Sequence, residues 1–232
     1  MSRVAYRVSH GVIAPTAKLL WRPTISGTEH VPASGGVILA SNHLSFIDSF
    51  AIPIVAPRPV SFLAKSDYFT GSGVGGALRR GFFQTIESIP VDRHSSRAAQ
   101  ESLDAALEVL RAGRAFGIYP EGTRSRDGRL YKGRTGVAWL SLTADVPVVP
   151  VGLRGTDEVQ PVGHSFPRLG AHVTVRFGEP VSPSAYRDLP AGKARRLLTD
   201  EVMEAIAGLS GQDRADGYNE LPPESSGAAV GI

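Results

Sequence analysis

Short apolar runs alternating with longer stretches of helical periodicity constrain this chain more than any other feature. Gly36 to Ala40, Val60 to Ala64, Ile86 to Val91, Ala115 to Tyr119, Val146 to Val151 and His172 to Phe177 are rich in Val, Ile, Phe and Leu and bounded by Gly, Pro, Ser or charged residues. That is the pattern of strands covered on both faces. Between them, Leu103, Leu107 and Leu110 recur at helical spacing, with Ser95 or Ser96 as a candidate cap and Gly113 as the stop. Further helices are expected after Asp48, across Gly136 to Ala144, and from Ala191 to Gly208. Strands alternating with helices predict an α/β fold: a single domain with a mixed, mostly buried central sheet flanked by helices. Pro147 and Pro150 place the run from Val146 to Val151 at an edge or on an irregular path.

Charge divides the chain further. The balance is 25 Lys+Arg against 22 Asp+Glu over 232 residues, or +3. Residues 211–232 carry one Arg (Arg214) against four acids and are rich in Gly, Ser and Pro, so they read as a disordered acidic tail. At the other end, residues 1–26 carry Arg3, Arg7, Lys18 and Arg22, with Val4, Val8 and Val12 four apart. An amphipathic helix is expected there, either lying in a membrane interface or packed on the domain. The uncharged stretch between Arg7 and Lys18 is far short of the ~20 apolar residues a spanning helix needs, and no secretory signal is recognisable. The compact domain is accordingly expected over residues 27–210. Cysteine is absent, which removes disulfides, thiol nucleophiles and Cys-type zinc sites together.

Three constellations sit at predicted strand ends, where open α/β sheets place their sites. Asn42-His43-Leu44-Ser45-Phe46-Ile47-Asp48 follows the first buried strand. If His43 lies in the turn and Asp48 in the first helical turn, the carboxylate can fold back onto the imidazole and make a general base. Taken alone, a capping Asn or Ser beside an incidental His is the plainer alternative. Tyr119-Pro120-Glu121-Gly122-Thr123-Arg124-Ser125 ends another strand, with Arg126, Arg129, Lys132 and Arg134 close behind. Its hydroxyl and guanidinium donors suit a phosphate, and a solvated basic loop is the plainer alternative. Ile89-Pro90-Val91-Asp92-Arg93 is a third strand end with an Arg just past it.

Together these motifs resemble the glycerophospholipid acyltransferase family, the PlsC-like lysophosphatidic acid acyltransferases in particular. His43 and Asp48, with Asn42 and Ser45, match the family's His-x4-Asp motif; Ile89 to Arg93 match the block with a substrate-binding Arg; Glu121 to Ser125 match the EGTRS block; Val146 to Val151 resemble its fourth, proline-bearing block. Phe62-Leu63-Ala64-Lys65 looks like a further family element, and Tyr119 stands before Pro120 where Phe is usual. The resemblance implies an acyltransferase that moves a fatty acyl group from a thioester donor, acyl-coenzyme A or acyl-carrier protein, to a lysophospholipid hydroxyl, 1-acyl-sn-glycerol-3-phosphate becoming phosphatidic acid. His43 would be the general base and Asp48 its orienter. Arg93, Glu121, Gly122, Thr123 and Arg124 would hold the acceptor phosphate, with Asn42, Ser45, Lys65 and Pro120 supporting. No bound cofactor, no metal and no nucleic acid is expected, and the protein should sit peripherally on the cytoplasmic face of an anionic membrane.

Two alternatives accompany this expectation: acylation of another acceptor, such as glycerol-3-phosphate or a different lysolipid, and a non-enzymatic module binding anionic lipid or nucleic acid. Dispersed bases make a poor nucleic-acid footprint. Gly71 to Gly76 fits G-x-G-x-x-G but lacks the strand, helix and ribose-binding acid of a dinucleotide site, and Gly128 to Thr135 misses a phosphate loop because Arg134 replaces its lysine.

Overall fold

The computed structural model describes residues 21–65, 89–91, 98–161 and 167–220, with isolated positions 15, 19 and 164. Seven strands among these residues form one sheet: β1 (Thr24–Ser26), β2 (Val37–Ser41), β3 (Val60–Lys65), β4 (Ile89–Val91), β5 (Ala115–Ile118), β6 (Val148–Arg154) and β7 (Thr174–Phe177). Their order is β1-β7-β6-β2-β5-β3-β4. Pairing is parallel except between β6 and β7, which run antiparallel, so the sheet is mixed as the sequence predicts.

The α-helices among the described residues are α1 (Asp48–Val55), α2 (Ala98–Arg111), α3 (Gly136–Ala144), α4 (Thr156–Val159) and α5 (Ala191–Ser210). The pleat sorts β2 residue by residue. Ile38 and Ala40 join one core with Leu107 and Leu110 of α2, Leu140 of α3, and Leu198, Val202 and Ile206 of α5. Val37 and Leu39 face the other side with Ile52 of α1, Phe62, Val149, Val151 and Val175. Period-two alternation with both faces apolar is what a central strand between two covering layers requires. All five residues of β2 are buried.

Three expectations change. The run bearing Pro147 and Pro150 becomes β6, an interior strand between β2 and β7. Pro147 precedes the strand, and Pro150 presents its carbonyl to the Gly178 N–H, 2.8 Å away. Since the N and C=O of one residue face the same side of a strand, its missing donor falls where β7 leaves, and the β2 ladder is untouched. At the amino end, Thr24–Ser26 lies in the sheet, paired with Thr174–Arg176, so the folded unit begins before residue 27; residues 1–14 and the amphipathic helix expected there lie outside the described residues. At the other end, residues 211–220 are ordered. Gly211 turns the chain at φ 67°, and the backbone that follows pairs with Leu130 and Lys132. Polar composition predicted a free tail, but the loop after β5 supplies the hydrogen-bond partners that such a segment lacks by itself.

Candidate active site

β2 and β5 are hydrogen-bonded neighbours in parallel register, so the segments leaving their carboxyl ends, residues 42–48 and 119–125, emerge side by side. Asn42 fixes the first exit. Its side chain donates to Leu153 O (2.9 Å) and accepts from Leu153 N (2.8 Å), continuing the β2–β6 ladder with an amide that mimics backbone.

Asp48 folds back from the first turn of α1. Its Oδ2 accepts from Leu44 N (2.7 Å), Ser45 N (2.8 Å) and His43 Nδ1 (2.8 Å). A carboxylate only accepts, so Nδ1 carries a proton, and in the neutral imidazole the lone pair is then on Nε2. Asp48 is fully buried, whereas the His43 side chain keeps 16% of its surface exposed. Asp48 Oδ1 is buried without a hydrogen-bond partner among the described residues. Ser45 ties the turn to the α4 exit through its hydroxyl, which donates to Gln160 O (2.7 Å).

Glu121 holds the second exit against the first. It is fully buried, and its two oxygens accept from His43 N (3.1 Å) and Tyr131 N (2.9 Å). Burial pushes its carboxyl up to about 7; the two backbone N–H groups oppose that rise, and the charges of Asp48 and Asp127 add to it. Glu121 therefore shapes the loop and points inward. Ser125 N donates to His43 O (2.7 Å), a second tie between the exits. Gly122 sits at φ 83°, where a side chain would be strained and its Cβ would stand 3.0 Å from Arg134 Nε. Thr123 is half-buried and Arg124 exposed. Arg129 is paired with Asp127 at 2.7 Å, while Lys132 and Arg134 flank the Tyr218 ring at 5.6 and 5.7 Å.

The structure thus brings His43, Asp48, Asn42, Ser45, Pro120, Glu121, Gly122, Thr123 and Arg124 into one site. Arg93 and the Lys65 side chain lie outside what is described, as do Ser95, Ser96, His94 and the glycines at 71–76. Among the described residues no cluster of three metal-ligating side chains forms. Sequence reasoning missed three participants. Tyr119 stacks its ring on His43, Gln212 accepts from Asn42 Nδ2 at 2.7 Å, and Asn219 donates to Arg124 O at 3.1 Å. An aromatic at the strand end was a usable signal for the first; the other two are polar residues in a polar stretch and carry none.

An imidazole bound to a buried carboxylate through Nδ1, with no partner for its Nε2 among the described residues, and bordered by a loop with exposed guanidinium groups, can take a proton from a hydroxyl beside an anion. The acyltransferase family matches residues 22–154, more than half of the chain. Similar proteins include a chloroplast 1-acyl-sn-glycerol-3-phosphate acyltransferase of Brassica napus, 28% identical over 81% of this chain and 50% of its own. The 1-acyl-sn-glycerol-3-phosphate acyltransferase of Bacillus subtilis is 25% identical over 78% of this chain and 84% of its own. The crystal structure of the 1-acyl-sn-glycerophosphate (LPA) acyltransferase PlsC from Thermotoga maritima aligns with a TM-score of 0.68 at 25% identity, covering 89% of this chain and 78% of that one. The chain spans about half the length of the chloroplast relatives it matches. On the extent of the family match, the chain belongs to the acyltransferase family.

Proposed function

We propose that this protein transfers a fatty acyl group from a thioester, acyl-coenzyme A or acyl-carrier protein, to the free hydroxyl of 1-acyl-sn-glycerol-3-phosphate, forming phosphatidic acid. The observation that carries the reading is the His43 Nδ1 to Asp48 Oδ2 hydrogen bond of 2.8 Å, made by a fully buried carboxylate to the nitrogen opposite Nε2. Relatives named for this activity support the acceptor.

His43 Nε2 takes the proton of the acceptor hydroxyl as its oxygen bonds to the thioester carbonyl carbon. Asp48, locked by the Leu44 and Ser45 N–H groups, holds the imidazole in the required tautomer and stabilises the imidazolium. The tetrahedral intermediate collapses by breaking its C–S bond, and the leaving thiolate receives the proton from His43. No residue is acylated. Arg124 and the backbone around Gly122, joined by Arg93, anchor the phosphate; a bidentate guanidinium–phosphate pair fixes orientation as well as position. Glu121 and Pro120 shape that loop, Asn42 and Ser45 hold the His turn, and Lys65 serves the site at the end of β3.

We place the enzyme peripherally on the cytoplasmic face of an anionic membrane, since its acceptor is a lipid. No helix among the described residues is long and apolar enough to cross a bilayer. The domain reading becomes an amino-terminal membrane-contacting segment followed by an acyltransferase domain that extends past residue 210.

The test is thiol release from acyl-coenzyme A or acyl-carrier protein with a panel of acceptors. Release should require 1-acyl-sn-glycerol-3-phosphate and vanish in His43→Ala, while that variant still binds phospholipid. Undiminished turnover in His43→Ala would sink the mechanism, and preference for an uncharged acceptor would remove the phosphate anchor.

A further inference from the structure

We infer that residues 212–219 form a strap that positions the phosphate-side loop against the catalytic turn, with Asn219 and Gln212 as its positioning residues. The inference rests on the acyl-transfer reading above and names a part of the site that lies beyond its motifs.

The strap touches both flanks of His43. One contact runs through Gln212, which leaves α5 two residues after Ser210. Its Oε1 accepts from Asn42 Nδ2 (2.7 Å) and its Nε2 donates to Gly128 O (2.7 Å). A single amide thereby joins the residue preceding His43 to the far side of the basic loop. From there the chain runs alongside Leu130 and Lys132. Leu130 N donates to Asp213 O, Ala215 N to Leu130 O, and Lys132 N to Gly217 O, all at 2.8 to 2.9 Å.

The second contact passes through one peptide plane. Asn219 Nδ2 donates to Arg124 O at 3.1 Å and, more weakly, to Thr123 O at 3.5 Å. Carbonyl and N–H of a trans peptide point in opposite directions. The Arg124–Ser125 peptide is therefore clamped, its oxygen held by Asn219 and its N–H by His43 O at 2.7 Å. Rotation of that plane would re-aim Arg124, while the His43 turn stays held by Asp48 and Glu121. The Tyr218 ring beside Lys132 and Arg134, and its hydroxyl accepting from Arg196 Nη1 at 3.3 Å, seat the strap on α5. Glu121 does not hold this plane: among the described residues its oxygens accept from His43 N and Tyr131 N.

The experiment uses the full chain and Asn219→Ala, Asn219→Leu and Gln212→Leu. Leucine keeps roughly the volume of either amide and removes its donors, so a filler would tolerate it. Loss of the two side-chain hydrogen bonds of either residue should raise the acceptor KM about tenfold in all three variants, with kcat and donor KM within about twofold. Amide exchange at Ser125, read by mass spectrometry or NMR, should accelerate in the Asn219 variants. Wild-type acceptor KM or wild-type Ser125 exchange in Asn219→Leu overturns the strap. If the wild-type protein releases no thiol with any acceptor, the functional reading fails, and the exchange of Ser125 still decides whether the strap holds the loop.

Discussion

The imidazole of His43 lies flat on the phenol ring of Tyr119, with centroids 3.8 Å apart and planes 9° from parallel. Asp48 sets the rotation of the imidazole within its plane, and Tyr119 sets the plane. Between them Nε2 has one direction to face. Tyr119 is anchored in turn, its hydroxyl 3.0 Å from Ser49 Oγ on α1 and its ring 5.5 Å from that of Phe62. Burial pushes the phenol well above its ordinary pKa, and the charge of Asp48 adds to the rise. It stays protonated at neutral pH, so it does not compete with His43 for the role of base in the proposed mechanism.

Because the face of Tyr119 orients His43 and its hydroxyl only ties the ring to α1, two substitutions should separate. Tyr119→Phe keeps the stack and loses one hydrogen bond, costing about 0.5–1.5 kcal/mol of stability, with kcat within about threefold of wild type. Tyr119→Ala removes the stack and should lower kcat at least about tenfold beyond that. Steady-state kinetics with denaturant unfolding of both variants checks this. Equal kcat in the two would mean that the stack does not orient the base.

Asp48→Asn should be nearly isosteric, for a reason visible in its bonds. All three donors converge on Oδ2, while Oδ1 has no partner among the described residues. An asparagine can set its oxygen in the Oδ2 position and its NH2 in the orphan one. The fold is kept and the negative charge facing the imidazolium is lost. We expect kcat to fall on the order of 10²–10⁴-fold with acceptor KM within about twofold. A kcat loss below about threefold would show that the carboxylate contributes geometry alone.

The His43–Asp48 pair was legible in the sequence because its geometry is local: five residues bridge a turn and the first turn of a helix. The basic loop was legible for a related reason, since Pro, Gly and a strand end together fix its kind if not its partners. Periodicity reports which face of a strand is buried and says nothing of its neighbour, so the interior place of β6 was hidden behind Pro150. Asn42 meets Leu153, 111 positions away, and Gln212, 170 away. Such pairs follow from strand order and from the path after α5, neither of which a linear pattern encodes. Residues 211–220 looked free because their partners lie far away in the sequence, on the loop after β5, on the β2 exit and on α5.

Glu121 ties the two strand exits together, and its protonation should appear in stability. Its folded pKa of about 7 lies above the ordinary 4.5, chiefly through burial. Between those values the folded state binds more proton than the unfolded one, so stability from this group is fully present below about pH 4.5 and declines as pH rises to about 7. The full loss is on the order of 3 kcal/mol. Glu121→Gln cannot titrate and should pay a constant penalty for placing an NH2 among two N–H donors. Urea unfolding of both proteins from pH 4.5 to 8 should show the wild type losing ground relative to the variant as pH rises. Parallel curves would mean that Glu121 is ionised throughout.

Gly117 controls the site from inside the sheet. A Cβ built there would lie 2.1 Å from Cζ of Phe62 and 2.4 Å from both Cε atoms, so the ring rests directly on the β5 backbone. Gly117 is paired with Phe62 in the β3–β5 ladder, and Phe62 is 3% exposed. Gly117→Ala must therefore displace the ring, which neighbours Tyr119, and a shift of Tyr119 is expected to tilt the stacked His43. Overpacking of this kind costs about 1–3 kcal/mol, and kcat should fall with it although no substrate contact is touched. Phe62→Leu alone loses part of the ring's packing, while in the double variant the smaller side chain makes room for the new methyl group. The cycle should be non-additive by at least about 1 kcal/mol in stability, with kcat partly restored relative to Gly117→Ala. Strict additivity in both readouts would show that β5 and His43 are not coupled through the rings.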